Sequence, residues 1–132
     1  MAAADELDLA AIVPLAGLLG VEVNDASPKE VRGRMAWAPE RCTADGVLHG
    51  GALMAFADTL GGVCAFLNIA DGGRTATVES KTNFFRAVRQ GHVHAVTRPL
   101  HIGRSFIVVQ TDVRDDEGRH VAQVTQTQAV LQ

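Results

Sequence analysis

A single acid, Asp58, stands in an otherwise apolar or small-residue run, residues 47–67, about two helical turns after His49-Gly50-Gly51. A carboxylate is costly to bury unless it is paired, hydrogen-bonded or protonated, so an acid in such a run needs a reason. Gly50 and Gly51 would open the helix, where backbone N–H groups lack intrahelical acceptors. With no side chains there, an anion or a carbonyl oxygen can reach those donors and the positive end of the dipole. That is the equipment of an oxyanion hole, and a histidine before it with an acid after it could frame one reacting carbon. Plainer readings use the same residues. Asp58 could pair with an arginine of a neighbouring strand or subunit, and His49 could be exposed or satisfied by a loop carbonyl.

A second feature is a segment without acids. Residues 80–111 hold Lys81, Arg86, Arg89, Arg98 and Arg104 with His92, His94 and His101, and no Asp or Glu. In a chain of net charge -3 this is a local positive field. It is either strand decoration with partners elsewhere in space or a docking surface for a small polyanion such as coenzyme A. Arginine suits phosphate because its fork bonds two oxygens at once. His92 and His94 would share a strand face, but nothing supplies a convincing third ligand, so a metal site is not expected. The sequence pI of about 5.9 and the scarcity of aromatics argue against a nucleic-acid partner.

The elements that must carry these residues follow from periodicity. Asp8 to Leu19 reads as a short helix broken near Gly20. Two strands follow to Trp37, with a turn at Asp25-Ala26-Ser27-Pro28, and residues 38–48 read as irregular. A long helix is predicted near His49 to Ala70, ended by Asp71-Gly72-Gly73. Leu53, Phe56, Leu60, Val63 and Leu67 form its bulky stripe; Gly51, Ala55, Asp58, Gly62 and Ala65 form a small-residue stripe suited to a crevice. Ile107, Val109, Thr111 and Val113 alternate as one strand face. Strands are also expected over 74–85, 91–101 and 119–131, with a hairpin turn at Asp115-Asp116-Glu117-Gly118. The sum is an α+β arrangement, one long helix with a mostly antiparallel sheet of about five or six strands.

The chain has 132 residues with 47% hydrophobic and 20% charged, enough for one domain over 1–132. Asp5, Glu6 and Asp8 precede the first basic residue, Lys29, which is the wrong charge for a signal or transit peptide. The apolar run from Leu9 to Val21 is too short to span a bilayer. With 2 cysteines and no leader, a cytoplasmic protein without a membrane partner is expected.

The order and spacing of three stretches carry a resemblance: Leu48-His49-Gly50-Gly51 with Asp58 on the next helix; Asn83-Phe84-Phe85-Arg86-Ala87-Val88-Arg89-Gln90-Gly91; and Pro99-Leu100-His101-Ile102-Gly103-Arg104 followed by Asp116-Glu117-Gly118-Arg119. From about Gly17 to Leu131 the chain resembles the hotdog-fold acyl-CoA thioesterases. The nearest branch holds the phenylacetyl-CoA, 4-hydroxybenzoyl-CoA and 1,4-dihydroxy-2-naphthoyl-CoA thioesterases. The resemblance implies a long helix wrapped by a curved antiparallel sheet. It also implies homodimers, commonly joined into homotetramers, with the active site at the subunit interface.

It implies roles as well. Asp58 matches the catalytic acid, as nucleophile or general base. Gly50 matches the residue whose N–H polarises the thioester carbonyl, and His49 one that helps position it. Gly51, Gly62, Thr77, Phe84, Arg86, His101, Gly103, Arg104 and Ser105 fall where the acyl group or CoA is held. CoA is part of the substrate, and no separate cofactor is implied. In two places the chain departs from the pattern. Thr43, with Asp45 nearby, stands where relatives often carry Gln or Asn, and Gly62 where some carry Ser or Thr; Thr59 is adjacent but points elsewhere. The implied activity is hydrolysis of a small aromatic or medium-chain acyl-CoA. The alternatives are a non-catalytic acyl-CoA binding or sensing module and a hydratase on the same fold.

Overall fold

A computed structural model describes residues 8–132; Asp5 and Glu6, on which the N-terminal charge argument rests, lie outside them. The elements run α1 (Leu9–Ile12), α2 (Pro14–Leu19), β1 (Glu22–Ala26), β2 (Val31–Ala36), α3 (Gly50–Phe66), β3 (Arg74–Phe84), β4 (His92–Ile102), β5 (Phe106–Arg114) and β6 (His120–Leu131). One 6-stranded sheet has the order β1-β2-β4-β5-β6-β3, and every pairing in it is antiparallel. Helix α3 lies against the sheet and touches every strand. This is the α+β arrangement the sequence predicts.

Several boundaries differ from expectation for local reasons. The N-terminal helix is two helices. Pro14 disfavours helical backbone at Val13, so α1 ends there and α2 restarts with proline in its first turn. The β1–β2 turn sits two residues later than expected, closed by reciprocal backbone bonds between Ser27 and Glu30. Helix α3 stops at Phe66, short of Ala70. There Asn68 donates its side-chain amide to the Cys64 carbonyl and to Pro28 O, satisfying a helix end that would otherwise continue.

The core lies between α3 and the inner face of the sheet. Ile107, Val109, Thr111 and Val113 are all fully buried, as their alternation predicts. The buried face of α3 is Leu53, Phe56, Ala57, Leu60, Gly61, Cys64 and Ala65. Val63 and Leu67, expected in that stripe, are only half-buried, and Ala65, assigned to the crevice stripe, belongs to the core. Burial pushes the Cys64 thiol up to about 11, so it packs as an inert apolar group.

Glu30 ties the β1–β2 turn to β4, bonding both Arg32 and Arg98. The hydrogen bond from Arg32 and then that from Arg98 lower its carboxyl below the ordinary range. A folded-state value below the unfolded one stabilises the fold above the usual carboxylate range and is lost as pH falls through the lowered value. Glu30→Gln should therefore flatten the acid limb of stability. Urea midpoints at pH 7 and pH 3, wild type beside variant, check this; parallel curves would contradict it.

Candidate active site

His49 caps α3 from the extended region, and its Nδ1 accepts the Gly51 N–H at 2.7 Å. An accepting Nδ1 puts the ring proton on Nε2. A Cβ on Gly51 would sit 2.9 Å from that Nδ1, so the glycine is what lets the imidazole fold back. The Gly51 amide, expected to be open to a ligand, is thus occupied. The Gly50 N–H has no hydrogen-bond partner among the described residues. Phe84, at the end of β3, presses its ring on Gly50, where a Cβ would come within 3.1 Å of the ring edge.

The loop before α3 is pinned by backbone. Thr43 N–H donates to Val47 O at 2.8 Å, His49 N–H to Arg41 O at 2.9 Å, and the Trp37 indole to Gly46 O at 2.9 Å. Asp45 takes φ 64°, a left-handed turn position that Asp tolerates. Thr43 is exposed, and no hydrogen bond links its hydroxyl to His49 or Asp58.

Asp58 projects from the exposed side of α3 toward β3 and β6. Its Oδ1 accepts from Thr77 Oγ1 at 2.6 Å and from Gln126 Nε2 at 2.7 Å. No salt bridge to it exists among the described residues, so the arginine pairing weighed above is not made within this chain. Beside it lies an open cavity of about 230 Å³ lined by Met54, Ala55, Asp58, Thr77 and Ser80. Nothing approaches the place of a Cβ on Gly62 within 4 Å, so that face of the helix is also open. Thr59 turns back to bond Ala55 O, as its position predicts.

Gln126 and Gln128 were not legible as site residues. They extend the inward face of β6 after Ala122 and Val124, and both are fully buried. The available signal was a switch from apolar to amide on one face of an alternating strand. Gln126 reaches Asp58 because residue 61 is glycine: a Cβ there would land inside the Gln126 carboxamide. Gly61→Ala should destabilise the fold by about 1–3 kcal/mol, the usual cost of overpacking. Denaturant unfolding measures it, and an unchanged midpoint would refute the close approach.

Most of the sequence-predicted residues fall into three groups within one chain, of which Asp58 with Thr77 is one. His49, Gly50 and Phe84 lie together, with Arg86 just beyond β3. His101, Gly103, Arg104 and Ser105 form the β4–β5 hairpin, with His101 folded over Gly103. Phe84 shares a cross-strand row with Ala122 and Val113, whereas Ala76 shares one with Ala129 and Phe106. The rows are seven residues apart along β5 and β6, roughly 23 Å at about 3.3 Å per residue. Asp58 is itself roughly 12 Å along the helix from Gly50. One chain therefore does not place the acid and the free amide around a single carbon.

The acid-free segment divides too. Arg98 pairs with Glu30, and His94 Nε2 lies 2.7 Å from Asp116 Oδ1. That contact and the His92 amide lower the Asp116 carboxyl. Lys81, Arg86, Arg89 and Arg104 make no ion pair among the described residues. Arg86 and Arg89 border an open depression of about 670 Å³ between the loop after β3 and the β5–β6 turn. No three His, Cys, Asp or Glu side chains among the described residues are grouped to hold a metal. No helix among them is long and apolar enough to cross a membrane.

Residues 45–122 match the sequence model of the thioesterase superfamily. The chain is 37% identical over 86 residues to the proofreading thioesterase EntH of Cronobacter sakazakii, covering 65% of this chain and 63% of that one. It is 34% identical over 86 residues, with the same coverage, to 1,4-dihydroxy-2-naphthoyl-CoA hydrolase of Escherichia coli. These matches span less than two thirds of the relatives' own length. A crystal structure of a mutant of thioesterase PA1618 from Pseudomonas aeruginosa superposes with a TM-score of 0.93 at 25% identity, covering 99% of this chain and 95% of that one.

Proposed function

We propose that this chain, which belongs to the thioesterase superfamily, hydrolyses a small aromatic or medium-chain acyl-CoA to the free acid and CoA. The observation that carries the reading is Asp58: an acid without a cationic partner among the described residues, held by neutral donors and bordering a cavity. A structural ion pair would look different, and a pure binding module has no use for such a carboxylate. The similarity to EntH and to the naphthoyl-CoA hydrolase supports thioester chemistry.

In the proposed reaction the Asp58 carboxylate takes a proton from water whose oxygen adds to the thioester carbon, or adds to that carbon itself before water releases the acid. The Gly50 N–H, at the positive end of α3, bonds the developing oxyanion, with His49 Nε2–H as a second donor. The carbon–sulfur bond then breaks, and the proton ends on the CoA sulfur. Thioester and water are the only reactants, and no further cofactor is invoked. Arg86 and Arg104 are proposed to hold CoA phosphates, with Gly51, Gly62, Phe84, His101, Gly103 and Ser105 around the acyl and pantetheine groups. Thr43 is proposed at the mouth of the site.

The roughly 12 Å between Gly50 and Asp58 supports a homodimer in which the acid of one chain faces the amide of its partner, and pairs of dimers give the proposed homotetramer. Strand β3 is a sheet edge with Val78 58% exposed, and Phe66 of α3 is 57% exposed, so this side is suited to a second copy. We read residues 1–132 as one domain working in the cytoplasm, a setting that suits its free thiols, Cys42 and Cys64. Thiol release from a panel of aliphatic and aromatic acyl-CoAs tests the function. Release from at least one ester is expected. Binding of esters with no release from any would replace the hydrolase with a CoA-binding module.

A further inference from the structure

Asp58 is gripped by one oxygen only. Both Thr77 Oγ1 and Gln126 Nε2 donate to Oδ1, and no described residue bonds Oδ2. Behind Thr77, Gln128 Nε2 donates to Thr77 Oγ1 at 2.8 Å. That bond occupies a lone pair of the hydroxyl and leaves its own hydrogen for Asp58. Gln126 is 0% and Gln128 1% exposed, and Gln126 Oε1 has no hydrogen-bond partner. An apolar core has little use for two buried carboxamides, one of them half-satisfied. Both are explained if their work is done at Asp58.

We propose that Gln126, Thr77 and Gln128 are positioning residues that clamp Asp58 through Oδ1, so that Oδ2 is the oxygen that meets the substrate or its water. The assignment rests on the hydrolytic reading above. Gln126 crosses under α3 in the space left by Gly61, and Gln128 acts through Thr77. The frame joins α3, β3 and β6, so the carboxylate is oriented by rigid elements and not by a loop.

The test reads kcat and KM for Gln126→Leu, Thr77→Val, Thr77→Ser and Gln128→Leu, and for Thr77→Val combined with Gln128→Leu. Misplacing a reacting group lowers kcat, so Gln126→Leu and Thr77→Val should each lose roughly tenfold or more in kcat with KM within about twofold. Thr77→Ser, which keeps the hydroxyl, should recover most of the loss seen in Thr77→Val. Gln128→Leu should lower kcat alone but add nothing to Thr77→Val, since its effect passes through that hydroxyl. Raised KM at unchanged kcat, or full additivity of the pair, would overturn the proposal. A second readout needs no turnover: the side-chain amide protons of Gln126, followed by NMR in wild type and Asp58→Ala. A proton shifted downfield by Asp58 should move upfield in the variant; an unmoved resonance refutes the clamp. A moved resonance in a protein that hydrolyses no thioester would overturn the hydrolytic reading and the role of Oδ2, while the clamp itself would stand.

Discussion

Asp58→Asn should lower turnover of the best acyl-CoA on the order of a thousandfold, within the range that a lost general base or nucleophile costs. The fold should not notice. An asparagine carbonyl can take the place of Oδ1 and accept from Thr77 and Gln126, as the carboxylate does. Its amide then stands at the position of Oδ2, where it can neither take a proton from water nor attack a carbon. The change therefore isolates one oxygen. Thiol release and thermal unfolding, measured side by side, are the check. Turnover near wild type would remove Asp58 from the chemistry; a large fall in melting temperature would make it structural.

Two positions earlier on the same helix the opposite result is expected. Phe56 is 0% exposed and is the largest fully buried side chain, packed among the inner faces of the strands. Phe56→Ala removes the ring and leaves a cavity that a well-packed sheet cannot close, which costs about 3–5 kcal/mol. Denaturant unfolding should show that loss as a lower midpoint. The folded fraction should keep much of its kcat, because Phe56 lies on the buried face of α3 and Asp58 on the exposed one. A loss below about 1 kcal/mol would mean that the helix does not anchor the core at this point. Together the two variants separate the two faces of one helix, stability on one and chemistry on the other.

Local pattern made much of this legible. The alternation in β5 picked out its buried face residue by residue. The acidic turn between β5 and β6 was visible as four residues, and the long helix was evident from its length and glycine start. His49, Gly50 and Asp58 stand out in the sequence because an acid and a histidine among small residues are conspicuous. Boundaries were less legible. Val13, the Ser27–Glu30 turn and the Asn68 cap each depend on one local bond or one proline, which periodicity does not record.

The sequence by itself determined the elements, the inner face of β5 and the place of the acid two turns into the helix, because those are properties of residues a few positions apart. Only the tertiary structure decided which partners Asp58 has. Gln126 stands 68 residues away and meets it through the register of β6 on β3 and the missing side chain at Gly61. Register is set by the alternating pattern of both strands and by the turn that joins them; β4 and β5 lie between β3 and β6 in the chain, so no turn sets this pairing. For the same reason the separation of His49 and Gly50 from His101 and Arg104 within one chain, at opposite ends of the strands, was not legible from their order. Distance in space follows from how strands pair, not from motif order.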